Sequence, residues 1–277
     1  TPEESGMAQF ASDVVLMAQD PGWEESGASF AQSPLGRYVE TGTLPLEWVS
    51  VTLFSDDPAK GLGRLPDDQL LIHKLARVIE DAQVSIDIIS AYFIPGDIGS
   101  AALTSAVARG LHVRTLTNSL EATDVIPVHA GYSRYRDDLI DGGVEVFELR
   151  PDQSPTNADE LGIIGSSAAS LHAKSVALDG ARVFVGSFNF DPRSAFLNCE
   201  MGFLVESATL ASRINEAFAK NLSGFAWRVT RAPDGGLQWQ AQDVAGAMTT
   251  LTDEPGASLG VRFALKVVAL LPVQWML

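Results

Sequence analysis

His172-Ala173-Lys174-Ser175-Val176-Ala177-Leu178-Asp179-Gly180-Ala181-Arg182-Val183-Phe184-Val185-Gly186-Ser187-Phe188-Asn189 is the stretch from which the rest of the chain is read. Apolar residues on both sides of Asp179-Gly180 predict two short strands, 172–178 and 182–186, joined by a tight turn. Asp-Gly between alternating apolar residues is a strong hairpin signal because both residues tolerate positive φ. Alternate residues of a strand share a face, so His172 and Lys174 project together, and Ser187 and Asn189 again stand two apart. A strand end of this kind presents an imidazole, an ammonium, a hydroxyl and an amide in one small space. These groups suit a phosphodiester. Imidazole can attack phosphorus or shuttle a proton near neutral pH. Lysine sets a compact cation against a non-bridging oxygen, and Ser and Asn can donate to the same oxygens as negative charge grows.

Outward from the hairpin the pattern is that of an α/β protein. Leu70, Leu71, Leu75, Val78 and Ile79 form a helical stripe after Pro66, with Asp67 as the expected cap. Val84, Ile86, Ile88 and Ile89 predict a strand buried on both faces. A helix from Ile98 to Arg109 closes at Gly110, and strand 111–117 follows. A helix over Tyr132–Asp141 stops at Gly142-Gly143, before strand 144–149. Residues 151–170 read as a polar loop. Past the hairpin, strand 201–206 leads to Ser207, which is placed to cap a helix running to about Lys220. Strand and helix in alternation predict a layered α/β domain.

Composition bounds the partners. The net charge is −16, and residues 1–60 hold 10 acids against 2 bases. An acidic surface repels nucleic acid backbones and anionic lipid at long range, so no nucleic acid partner is expected. Cys199, alone, can form neither an internal disulfide nor a Cys-rich zinc site. No uncharged apolar run reaches ~18 residues. Three segments are expected: an acidic arm or connector over 1–60, a catalytic half-domain over 61–227, and a tail over 228–277. The tail, with Arg262 and Lys266 among Val, Leu, Phe and Trp, would pack on the domain or lie in a membrane interface.

The spacing of His172, Lys174, Asp179, Gly186, Ser187 and Asn189 resembles the signature of the phospholipase D superfamily. Ala91-Tyr92-Phe93-Ile94-Pro95-Gly96, Thr117-Asn118-Ser119-Leu120, Ala122-Thr123-Asp124-Val125 and Val128-His129-Ala130-Gly131-Tyr132 look like its bacterial cardiolipin synthase branch. So do Ser55-Asp56-Asp57-Pro58-Ala59-Lys60 and Leu271-Pro272-Val273-Gln274-Trp275. The resemblance implies an α/β/α sandwich of the phospholipase D type. It implies His172 as the active-site histidine, Lys174 and Asn189 as phosphate ligands and Ser187 as a further phosphate-side donor. Asp179 would be structural, with Gly186 in the motif frame. Glu200 would hold the other nitrogen of His172, selecting its tautomer. Neither metal nor cofactor is implied, because Lys and His supply the positive charge.

The same resemblance implies phosphatidyl transfer to an alcohol on a phospholipid substrate at a membrane surface, probed against two alternatives. One is hydrolysis, with water as acceptor; the other is an incomplete half that acts as a structural or binding partner. Enzymes of this type use two such motifs, and His73, His112 and His129 all lack a Lys two residues on. The chain therefore reads as the C-terminal half of a two-motif enzyme, or as a one-motif chain that completes its site as a homodimer. A bacterial inner-membrane location is the corresponding expectation. Tyr92, Asn118, Asp124, His129 and Tyr132 read equally as pocket-border groups and as turn or packing residues. His73 and His112 read as surface or helix residues, and Cys199 as a small buried hydrophobe.

Overall fold

The computed structural model describes residues 34–43, 46–151, 166–167, 170–242 and 246–257. The chain divides into two compact units, Thr1–Trp48 and Val49–Leu277. In the first, helix α1 spans Pro34–Thr41.

The described residues of the second form strands β1 (Val51–Ser55), β2 (Ser85–Ser90), β3 (His112–Asn118), β4 (Glu145–Leu149), β5 (Ser166–Ser167) and β6 (Ser170–Leu171). They continue with β7 (Lys174–Leu178), β8 (Arg182–Gly186), β9 (Met201–Val205), β10 (Ala226–Arg231), β11 (Leu237–Gln242) and β12 (Met248–Leu251). The helices are α2 (Leu71–Glu80), α3 (Gly96–Ala108), α4 (Ile126–Asp141), α5 (Pro192–Phe196), α6 (Ala208–Glu216) and α7 (Leu222–Phe225). Ten strands make one sheet in the order β1-β9-β8-β7-β2-β3-β4-β10-β11-β12. β2, β3 and β4 run parallel through helical crossovers, and the remaining pairings are antiparallel.

Two apolar layers explain the arrangement. On one face Leu71 and Leu75 of α2, Leu103 of α3 and Tyr132, Tyr135 and Leu139 of α4 pack on Ile86, Ile88, Val146, Val176 and Phe184. On the other, Ala211, Ile214, Phe218, Leu222 and Phe225 pack on Ile89, Leu116, Ala177 and Val183. β2 is buried at every position, as an interior strand covered on both faces must be. The α/β/α sandwich expected from the sequence is the fold observed.

Four local expectations change. Asp67 does not cap α2: it opens a 3-10 turn, and the amide of Leu71 donates instead to Asp56 Oδ1 at 2.7 Å. α4 begins at Ile126, six residues early, because Pro127 fits the first turn of a helix. The segment boundary expected after residue 227 falls inside β10, which pairs with β4, and β11 and β12 extend the same sheet. The acidic segment expected to run to residue 60 ends inside the sheet domain, since β1 pairs with β9. The final residues, 258–277, lie outside the described region, as do most of residues 151–170.

The added strands are tied in by a buried polar network. Glu148, fully buried, accepts from Arg136 at 2.8 Å, from the Tyr132 hydroxyl at 2.9 Å and from Trp239 Nε1 at 2.8 Å. Glu254, past β12, meets the same Arg136 guanidinium and His129 Nε2, 2.9 Å away. A buried carboxylate persists only with such a complement of donors.

Candidate active site

The turn after β7 is as read: Asp179 and Gly180 have φ of 55° and 61°. The Asp179 carboxylate faces away from the motif's polar end. It accepts from the amides of Gln83 at 3.0 Å, Val84 at 2.7 Å and Ser85 at 3.1 Å, which fixes the start of β2 against the hairpin. Gly186 and Gly202 are cross-strand partners on β8 and β9. A Cβ on Gly186 would lie 2.3 Å from the Met201 carbonyl oxygen, so the strands approach here only because neither residue has a side chain at this point.

The chemical groups gather where β7 begins and β2 and β8 end. His172 is exposed, two residues ahead of Lys174, which opens β7 opposite Ser90. The Lys174 ammonium donates to the His172 carbonyl at 2.7 Å and stands 3.4 Å from His172 Nε2. Burial lowers the Lys174 pKa, and the negative charges of Glu200, Asp191 and Asp124 oppose that fall. Asn189 turns its Oδ1 toward the amide of Tyr92, 3.4 Å away, at the end of β2. The Tyr92 hydroxyl donates to Asp124 at 3.1 Å, so Tyr92 links the motif to the loop before α4.

Glu200 is buried, but it does not hold His172. One of its oxygens accepts from the Ser187 hydroxyl and the other from Ser194 Oγ at 2.9 Å. Its backbone is fixed too: its amide donates to Asp56 Oδ2 at 3.0 Å, and its carbonyl accepts from the Asp56 amide at 2.9 Å. This position leaves the expected imidazole–carboxylate bond unmade. Ser187, itself exposed, also lies 3.3 Å from the Met201 carbonyl and accepts from the Met201 amide at 3.1 Å. Among the described residues, His172 and Lys174 are brought together directly, Asn189 meets Tyr92 just past the end of β2, and Ser187 bonds Glu200.

Asp191, Lys60 and Asp56, to which the sequence pattern gives no role, pack around Ser194 and Glu200. Asp191 caps α5, accepting from the Ser194 amide at 2.7 Å. Burial, reinforced by the Glu200 charge, raises the Asp191 carboxyl to about 6 against the pull of the backbone amides of Ser194 and Arg193. Its signal was present, since Asp before Pro192 is a helix-start pattern. Lys60 and Asp56 form a fully buried pair at 2.6 Å, and Lys60 also donates to the Ser194 carbonyl at 2.8 Å. Of the doubtful residues, His129 and Tyr132 are buried in α4, whereas His73 and His112 are exposed. Cys199 is exposed, not buried, because it sits in the turn between α5 and β9.

A family model described as the phospholipase D-like domain of cardiolipin synthase matches residues 75–222. The chain belongs to this family. Cardiolipin synthase C of Escherichia coli K12 is 44% identical over 247 residues, which cover 88% of this chain and 52% of that protein. Cardiolipin synthase A of Pseudomonas syringae is 35% identical over 136 residues, 49% of this chain and 24% of that protein. The chain thus spans about half the length of the first of these cardiolipin synthase relatives and less of the second. Among solved structures, phosphatidylserine synthase of Haemophilus influenzae Rd KW20 superposes with a TM-score of 0.51 at 14% identity. The overlap covers 84% of this chain and 49% of that one, and speaks to the fold alone. The family model's match ends at residue 222, before β10 begins at Ala226.

Proposed function

We propose that this chain is the phosphodiester-transfer half of a cardiolipin synthase-like phosphatidyltransferase. The observation that carries the reading is the pairing of His172 Nε2 with the Lys174 ammonium, 3.4 Å apart at an open strand end, inside the family's motif. In this reading the imidazole attacks phosphorus, the P–O bond to the leaving alcohol breaks, and a phosphohistidine carries the phosphatidyl group. Attack by the hydroxyl of a second lipid alcohol, whose proton passes to the group that protonated the first leaving alcohol, then breaks the P–N bond and restores the imidazole. Lys174 and Asn189 hold the non-bridging oxygens while charge builds on them. Hydrolysis differs only in the acceptor, which water exclusion and pocket shape decide.

The leaving alkoxide needs a proton, and a second motif half supplies the acid. Two observations support this. The chain spans about half of its relative cardiolipin synthase C. Next to the site, the helix layer leaves part of one sheet face uncovered: Leu53, Val185, Met201 and Phe203 share that face on β1, β8 and β9, each 43–55% exposed. An apolar strip beside a phosphodiester site suits a partner half of the same protein. The lipid substrate places the complete protein at a bacterial membrane surface. Among the described residues no helix is long and apolar enough to cross a membrane.

The test compares the 277-residue chain alone with the complete protein. Losing the general acid removes ~100–10,000-fold in rate, so the chain alone retains traces of lipid transfer and recovers activity when the other half is added. Full activity in a monomer of the chain alone would overturn the two-half reading.

A further inference from the structure

The backbone carrying His172 is not held by the main sheet. The ladder between β7 and β2 ends at the Lys174–Ser90 pair. β6, which ends at Leu171, belongs to a separate two-stranded sheet with β5. His172 and Ala173 lie between these two sheets, in neither strand. A nucleophile must nevertheless be held to within a fraction of an ångström.

Asn118, the last residue of β3, supplies an anchor. Its Oδ1 accepts from the Leu171 amide at 2.8 Å, and its Nδ2 donates to the Leu171 carbonyl at 3.2 Å. One side chain therefore pairs both backbone groups of the residue before His172, as a neighbouring strand would. Its Nδ2 also donates to the Ala91 carbonyl at 3.1 Å. Ala91 precedes Tyr92, whose amide donates to Asn189 Oδ1. Asn118 is 3% exposed, so water does not substitute for these bonds. The carboxamide has two donors and an acceptor on one short, stiff stem, and this position uses all three. Asp keeps the acceptor and loses the amide donors; Ala keeps none.

We propose that Asn118 is a positioning residue for the nucleophile: it fixes the segment entering His172 and ties it to the end of β2 that meets Asn189. The proposal rests on the reading of His172 as the nucleophile. Displacing a nucleophile by about 1 Å costs roughly 100-fold in rate. Lys174 and Asn189 sit in strand β7 and after β8, so substrate binding survives. A loss confined to the chemical step lowers kcat and leaves KM unchanged.

The experiment measures kcat and KM for lipid transfer in the complete protein for wild type, Asn118→Asp, Asn118→Ala and His172→Ala. A core variant, Leu139→Ala, controls for lost stability. Amide hydrogen exchange of the 277-residue chain reports on Leu171. Asn118→Asp and Asn118→Ala are expected to lower kcat at least about 10-fold with KM within about twofold. Leu139→Ala keeps kcat. The Leu171 amide loses protection in Asn118→Ala and keeps it in Asn118→Asp, which still offers an acceptor. If Asn118→Ala does not fold, Asn118→Asp carries the test through the kcat–KM split. Wild-type kcat in a folded Asn118 variant, or an unchanged Leu171 amide in Asn118→Ala, would overturn the proposal. Turnover retained by His172→Ala would instead overturn the reading beneath it, and the exchange data would tell the two failures apart.

Discussion

Glu200 bonds Ser187 with one carboxylate oxygen and Ser194, 2.9 Å away, with the other, and so braces these two hydroxyls instead of the imidazole of His172. Removing that brace has a structural signature. Glu200→Ala leaves the buried Ser194 hydroxyl without its acceptor, at a cost of about 1–3 kcal/mol, while the exposed Ser187 hydroxyl can turn to water. Chemical denaturation should show a loss of that order, with Ser187→Ala losing less. If Ser187→Ala abolishes transfer while Glu200→Ala leaves stability untouched, Ser187 is a substrate donor and this description fails.

Asp191 gives a pH dependence with a definite sign. Its carboxyl is raised from the ordinary 3.8 to about 6, chiefly by burial, with the Glu200 charge adding. Between those values the folded state holds a proton that the unfolded chain has lost. Stability from this group is therefore present near pH 4 and declines as pH rises through about 6, by ~2–3 kcal/mol in all. Asp191→Asn keeps the amide-capping oxygen and removes the titration. Denaturation midpoints from pH 4 to 7 should show the variant gaining on wild type as pH rises. A constant difference across that range contradicts the assignment.

Gly186→Ala tests the close approach of β8 and β9. The new methyl meets the backbone of Met201 and Gly202, which cannot turn aside as a flexible side chain would. Forcing an extra methyl into a packed position costs about 1–3 kcal/mol. Because Ser187 follows directly, activity should fall with stability. Unchanged thermal stability would mean the strands part more readily than their spacing suggests.

What the sequence made legible follows from how local each signal is. The hairpin depends on apolar alternation and an Asp-Gly turn, both fixed within a few residues; His172 stands beside Lys174 although it precedes β7, so the strand expected from residue 172 is two residues shorter than read. The caps at Ser207 and the stop near Gly110 are equally local. The Glu200 contacts were not legible, because they depend on Ser194 and on Asp56, which is 144 residues away. Asp67 lost its capping role to Asp56 for the same reason. β10 and β11 do alternate, as Trp227-Arg228-Val229 and Leu237-Gln238-Trp239-Gln240-Ala241, but alternation does not say which sheet edge a strand joins. The reason they belong to the sheet is the edge of β4 and the buried Glu148, which recruits Trp239 from β11.

The central claim is that His172 takes the phosphatidyl group onto its ring. The direct measurement is rapid acid-free quenching of the complete protein during turnover on phospholipid, followed by mass spectrometry of the peptide containing His172. The account expects an acid-labile phosphatidyl adduct on His172, absent in His172→Ala, with lipid transfer lost in that variant by orders of magnitude. An unmodified His172 during steady turnover, together with wild-type transfer by His172→Ala, would contradict it.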